Sequence, residues 1–283
     1  MDYNYTRSNN LKTFARRCLL IAFILFSGGQ LMAQREWSVY NAVGTIGRGG
    51  IKFDSDGIMW VCGFESGIYK YDGFSFVNFN NRNGLPANSI TGFAEDANKN
   101  KWFSTEAGLL KYNGNSWTVF NKSNSSLPED RLNSIVIDTK GAIWVSSNAG
   151  LTKFDGGVWK TYTTSNTPSL GSNYVGSLYA DKDFVYVLYN GSADGYSTID
   201  NNGVWKRVTE SGGLPTYSVN CITTDANGDR WFGSYNGLIK LSGNTYTTYR
   251  TPNESFDGEM TTDQVWDVLI DAAGNKWVSG SAG

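Results

Sequence analysis

The chain of 283 residues contains no histidine. That absence excludes Ser-His-Asp and Cys-His nucleophilic systems, His-ligated zinc and imidazole acid–base catalysis. Carboxylate chemistry stays open, because a pair of Asp or Glu side chains is enough to hydrolyse a glycosidic bond. Cysteine and proline are scarce as well, at three and five residues. The longest apolar run, Cys18 to Phe26, falls well short of the about 20 residues that a membrane-spanning helix needs. Beyond residue 34 Lys and Arg are nowhere clustered, which argues against a nucleic-acid partner, whose phosphates call for a basic patch.

What the start of the chain does contain is an export signal. Arg7, Lys12, Arg16 and Arg17 form a basic opening, the short apolar run follows, and Leu31-Met32-Ala33 ends it with small-residue cleavage chemistry. Residues 1–34 are therefore expected to be a signal peptide, and residues 35–283 the mature protein, with no membrane span of its own. Cys18 precedes the apolar run and is badly placed for a lipid anchor. Cleavage leaves 20 basic against 25 acidic residues, a net charge of −5. Cys62 and Cys221 remain, on strands of units that are not neighbours, so both are expected to be free thiols even in an oxidising compartment.

The mature chain is filled by one recurring pattern: Asp, a turn, Trp on a strand, a Gly-Leu step, and a second aromatic strand. Its anchors are Trp60, Trp102, Trp144, Tyr186, Trp231 and Trp277, spaced 42, 42, 42, 45 and 46 residues apart. A period in the forties built from short strand-like segments predicts an all-β fold, a β-propeller of four-stranded blades, because a single such sheet cannot bury both faces without stacking on its neighbours. Apolar residues three apart open each unit, such as Leu132 and Ile135. That spacing suits a bulged strand or a helix, and the short segments before a tight turn favour the strand. The turn carries Asp54, Asp96, Asp138, Asp181, Asp225 or Asp271, an acceptor for backbone amides two residues on. Leu-Pro steps at Leu85, Leu127 and Leu214 lead from one blade to the next. Five near-complete blades are expected, with a partial sixth that stops after two strands. Because Trp37-Ser-Val-Tyr40 matches the outer strand Trp117-Thr-Val-Phe120, an unpaired outer strand is also expected at the beginning, and the ring is expected to be incomplete.

Residues repeated in every blade read as scaffold, so function is sought where the blades differ. Asp54-Ser-Asp56 and Asp96-Ala-Asn98 lack the later bidentate Glu of a calcium loop, and no metal or cofactor is expected. The loop after the Trp strand carries Glu65, Glu106, Asn148 and Tyr235 at one repeat position, a polar and aromatic set able to hydrogen-bond hydroxyls. Trp266 stands where the other units have Gly49, Thr91, Asn133, Gly176 and Asn220, and either stacks a sugar ring or plugs the axial channel. These five residues are the candidate ligand-binding set, and no catalytic residue stands out.

Leu-Pro, Asp-x-x-Gly-x-x-Trp-Val, Gly-Leu-x-Lys-Tyr-Asp-Gly and the Trp-x-x-Tyr strand together resemble the two-component regulator propeller repeat, over nearly all of the mature chain. The resemblance implies a propeller of roughly seven blades when complete. It also implies a non-enzymatic input region, of the kind found in periplasmic sensors that feed hybrid histidine kinases and respond to glycan fragments, or a secreted relative. An oligosaccharide or a protein would then be the ligand. No kinase region or second propeller is present in this chain. The alternatives are a carboxylate-dependent glycosidase or lyase on the same scaffold, and a secreted surface or adhesive module.

Overall fold

The computed structural model describes residues 46–189, 195–250 and 263–281. The expected signal peptide and the Trp37 strand lie outside the described residues. Five four-stranded antiparallel sheets occupy 46–79, 90–120, 132–162, 175–208 and 219–249, and a two-stranded sheet occupies 265–280. Within each sheet the strands lie side by side in chain order. The first strands (Ile46–Phe53, Ile90–Glu95, Leu132–Ile137, Val175–Ala180, Val219–Thr224 and Val265–Ile270) pack next to one another in succession and form the inner wall of a β-propeller.

Each inner strand contains a register break against its neighbour. In the second to sixth blades one residue is skipped: Thr91, Asn133, Gly176, Asn220 and Trp266. The skipped residue is a β-bulge, and it explains the apolar spacing of three. One extra residue returns Leu132 and Ile135, or Val219 and Ile222, to the same buried face.

Three bulge side chains also stitch the ring. Thr91 Oγ1 donates to the Leu132 carbonyl at 2.9 Å, Asn133 Nδ2 to the Val175 carbonyl at 2.8 Å, and Asn220 Nδ2 to the Val265 carbonyl at 2.8 Å. Each acceptor is the residue just before the bulge of the next blade, so an inner-strand backbone group is satisfied across the seam.

The core lies between blades. Each hydrophobic cluster joins one sheet to its successor, as Trp102 and Leu109 of the second blade pack with Leu132, Ile135, Ile143 and Val145 of the third. The Leu of each Leu-Pro connection is buried in these clusters, at Leu85, Leu127 and Leu214. Outer-strand aromatics close the other end of each sheet, with Phe76 on Tyr71, Trp117 on Tyr112 and Trp159 on Phe154 at ring separations of 4.5, 4.6 and 4.4 Å. The Gly of the Gly-Leu step is required twice over. At Gly150 φ is +126°, and a Cβ there would sit 2.4 Å from the carbonyl oxygen of Tyr162.

Candidate functional site

The repeated residues form one clamp per blade. The turn Asp uses Oδ1 to accept backbone amides, as Asp138 does from Lys140 and Ala142 at 3.0 and 2.9 Å. Its Oδ2 accepts the indole N–H of the Trp six residues on, at 2.8–3.0 Å in Asp54–Trp60, Asp96–Trp102, Asp138–Trp144, Asp225–Trp231 and Asp271–Trp277. In the fourth blade the turn is one residue shorter, and the Tyr186 hydroxyl reaches Asp181 at 3.0 Å in place of the indole. The Lys of the Gly-Leu-x-Lys step lies over the Trp face: Lys70, Lys111, Lys153 and Lys240 stand 5.2–5.8 Å from the ring centres of Trp60, Trp102, Trp144 and Trp231. Burial pushes the Asp54 and Asp96 carboxyls up, but the indole and backbone donors outweigh it and hold both below the ordinary carboxylate range. Asp271 is held at about 2, first by the Trp277 indole and then by Asn275. These carboxylates are committed to the scaffold.

Cys62 and Cys221 are free thiols, and burial pushes both up to about 12, so neither is a nucleophilic thiolate at neutral pH. Among the described residues no group of three or more Cys, Asp and Glu side chains is placed to hold a metal ion. Among them, too, no helix is long and apolar enough to cross a membrane.

The loop face brings some of the sequence-selected residues together and separates others. Tyr235 and Trp266 meet edge to face, with ring centres 5.2 Å apart and planes at 83°. They come from the fifth and sixth blades, and the bulge is what places Trp266 out of the strand register. Trp266 is 44% exposed and Tyr235 38%, so the pair is open to solvent.

Glu106 belongs to a different part of the same face. It pairs with Arg131 at 3.3 Å and lines a cavity of about 290 Å³ with Phe64, Thr91 and Asn133. Asn148 accepts from Asn133 Nδ2 at 2.9 Å, so it fixes a residue that lines this cavity. Glu65 is exposed at the left-handed φ of +59° and does not line it. Arg131 and Phe64 do not stand out in the sequence. Arg131 sits in a connection with no periodic signal, and Phe64 precedes Glu65 in a loop whose other copies carry Thr105, Ser147 and Ser234.

No family model matches the chain, and no curated protein matches it. Solved structures share its fold. The extracellular domain of a hybrid two-component system from B. thetaiotaomicron superposes with a TM-score of 0.61 at 20% identity, over 84% of this chain and 39% of that one. This chain thus spans about two-fifths of that extracellular domain. PorZ, a bacterial surface component of the type-IX secretion system of Porphyromonas gingivalis, gives 0.65 at 16% identity, over 87% and 40%. A catalytically inactive virginiamycin B lyase from Staphylococcus aureus, with quinupristin, gives 0.66 at 13% identity, over 88% and 82%. The class of architecture these likenesses define is the β-propeller.

Proposed function

We propose that this chain is a non-enzymatic, exported propeller that binds a ligand through its loop face, in the manner of the periplasmic input region of a glycan-responsive two-component sensor. The observation that carries the reading is the Tyr235–Trp266 pair: two half-exposed aromatic rings on the loop face, at positions where the blades differ, held edge to face. Such a pair offers one ring face for stacking a sugar, with the Tyr hydroxyl and neighbouring polar loops for its hydroxyls. The repeated carboxylates are occupied by indole and backbone donors, and Glu106 is engaged by Arg131.

An enzymatic reading by analogy with the lyase has a specific obstacle. The inactive lyase variant carries alanine in place of a histidine, and this chain has no histidine to supply that chemistry. A glycosidase would need two unpaired carboxylates facing each other about 5–10 Å apart. The likeness to PorZ favours a second reading, in which the same face docks a protein at a bacterial surface.

Calorimetry against a panel of oligosaccharides tests the first reading. The full chain is expected to bind at least one of them, and Trp266→Ala to weaken that binding at least tenfold, as loss of one stacking ring does. Because Trp266 is 44% exposed, the variant is expected to melt close to the wild-type temperature. Absence of binding to the whole panel would overturn the sugar reading and leave the protein-docking one to a surface-partner assay.

A further inference from the structure

The seam between the fourth and fifth blades combines four departures from the repeat pattern, two of them each shared with another seam, where Ile199 stands in the register place of Leu241 and Gly49 in that of Gly176. Tyr186 replaces Trp, and Thr198 stands opposite it in the register where the other complete blades place a Lys over the ring. Leu241 occupies the position held in the second and third blades by Tyr112 and Phe154, which pack against the preceding Trp. Gly176 provides no bulge side chain to stitch to the fifth blade. Each of the first three changes removes side-chain volume from the same place. The result is a cavity of about 700 Å³, against about 240 Å³ at the first–second seam and about 150 Å³ at the third–fourth.

The walls of this cavity have a definite chemistry. Phe184, Val208 and Leu241 make an apolar floor, with Val204 61% exposed at its edge. Arg230 spans the back, but its charge is already used: Nε donates to Asp181 at 3.0 Å, one terminal nitrogen donates to Asp183 at 2.8 Å, and the guanidinium lies over Phe184 and Tyr186. The other charged lining residues are Asp200, Lys206 and Arg207, all on the fourth blade. The Arg207 guanidinium lies over the ring of Tyr189, 5.4 Å from its centre, and Tyr189 is outside the cavity lining, which leaves Asp200 and Lys206. Asp200 uses Oδ1 to accept the amides of Asn202 and Val204 at 2.8 Å. Lys206 has no carboxylate within ion-pair distance among the described residues. A cavity with an apolar floor and one available charge of each sign at its mouth suits a ligand of the same make-up.

We propose that the fourth–fifth seam is a second binding site, for a small zwitterion with an apolar body: a free apolar amino acid or a peptide of two or three such residues. The α-ammonium group pairs with the Asp200 carboxylate, the α-carboxylate pairs with Lys206, and the side chain lies on Phe184 and Leu241. A cavity of this size lies within the usual range for small-molecule sites, about 300–1,000 Å³. The site lies away from the Tyr235–Trp266 pair and does not depend on what the loop face binds.

Titration calorimetry on the full chain, with L-leucine, L-phenylalanine and the dipeptide Leu-Phe as probes, tests it. At least one zwitterion is expected to bind, with N-acetyl-leucine amide, which lacks both charges, at least tenfold weaker. Two filling variants make the location testable: Thr198→Lys and Leu241→Phe install residues the sibling blades carry, and each is expected to weaken zwitterion binding at least tenfold while the melting temperature holds or rises. The proposal is overturned if none of the three probes binds, if the capped analogue binds as tightly as they do, or if both folded filling variants keep the wild-type affinity.

Discussion

The indole N–H of each repeat Trp has one acceptor, a carboxylate six residues earlier, and that bond explains why Trp rather than Phe recurs. Phe would fill the same space between blades but leave Asp Oδ2 without its donor, and a hydrogen bond to a charged group is worth about 1.5–3 kcal/mol. The clamp should therefore matter most where it is buried. Trp144 is 3% exposed and Trp277 54%. Trp144→Phe is expected to lower stability by about 2 kcal/mol, and Trp277→Phe to shift the urea midpoint clearly less. Equal shifts in the two variants would mean that ring packing, and not the carboxylate, sets the preference.

At the scale of the strand, the period and the turn chemistry were legible because they recur: the Asp, the Gly, and the apolar pair three apart. The bulge was only half legible, since a spacing of three fits a helix as well, and the structure resolves it through Thr91, Asn133 and Asn220. Their role could not be read locally, because each donates to a carbonyl 41, 42 or 45 residues further on, one repeat away. The Asp–indole bond escaped for a related reason, since its two ends lie on opposite sides of a turn. Arg131 and Phe64 had no repeat signal at all.

The Gly-Leu step gives a test at this scale. Gly141 and Gly150 both have positive φ, 85° and 126°, but a Cβ at Gly141 would meet nothing within 4 Å, whereas at Gly150 it would strike the Tyr162 carbonyl. Gly141→Ala is expected to cost about 1 kcal/mol from backbone conformation alone. Gly150→Ala should cost about 3 kcal/mol, because the third and outer strands must also separate. Chemical denaturation of the two variants side by side isolates the steric part as their difference.

For the whole molecule, stability is close to a sum of blade and seam terms, since each repeat contacts mainly its neighbours. The fourth–fifth seam lacks the bulge stitch, the indole and the stacked Lys, and it is joined instead by the Arg230 pairing with Asp181 and Asp183. Thr224 supports it through its backbone amide, which donates to the Tyr179 hydroxyl at 3.1 Å. Arg230 and Asp181 are largely buried, with side chains 17% and 6% exposed. Replacing the cation by an apolar residue of similar length strands a buried carboxylate, and such losses run to about 3–5 kcal/mol. Arg230→Met is therefore expected to cost about 3 kcal/mol, the lower end of that range because Asp183 is 40% exposed and can turn to water. Lys153→Met is the control: its partner Asp155 is 56% exposed, and the loss should stay within about 1 kcal/mol. Hydrogen exchange adds the location. In Arg230→Met the amides of Val175–Ala180 and Val219–Thr224 should exchange before those of Ile90–Glu95 and Leu132–Ile137, whose shared seam keeps the Thr91 stitch. Uniform acceleration across all inner strands would mean that the ring unfolds as one unit and that no seam is weaker than its neighbours.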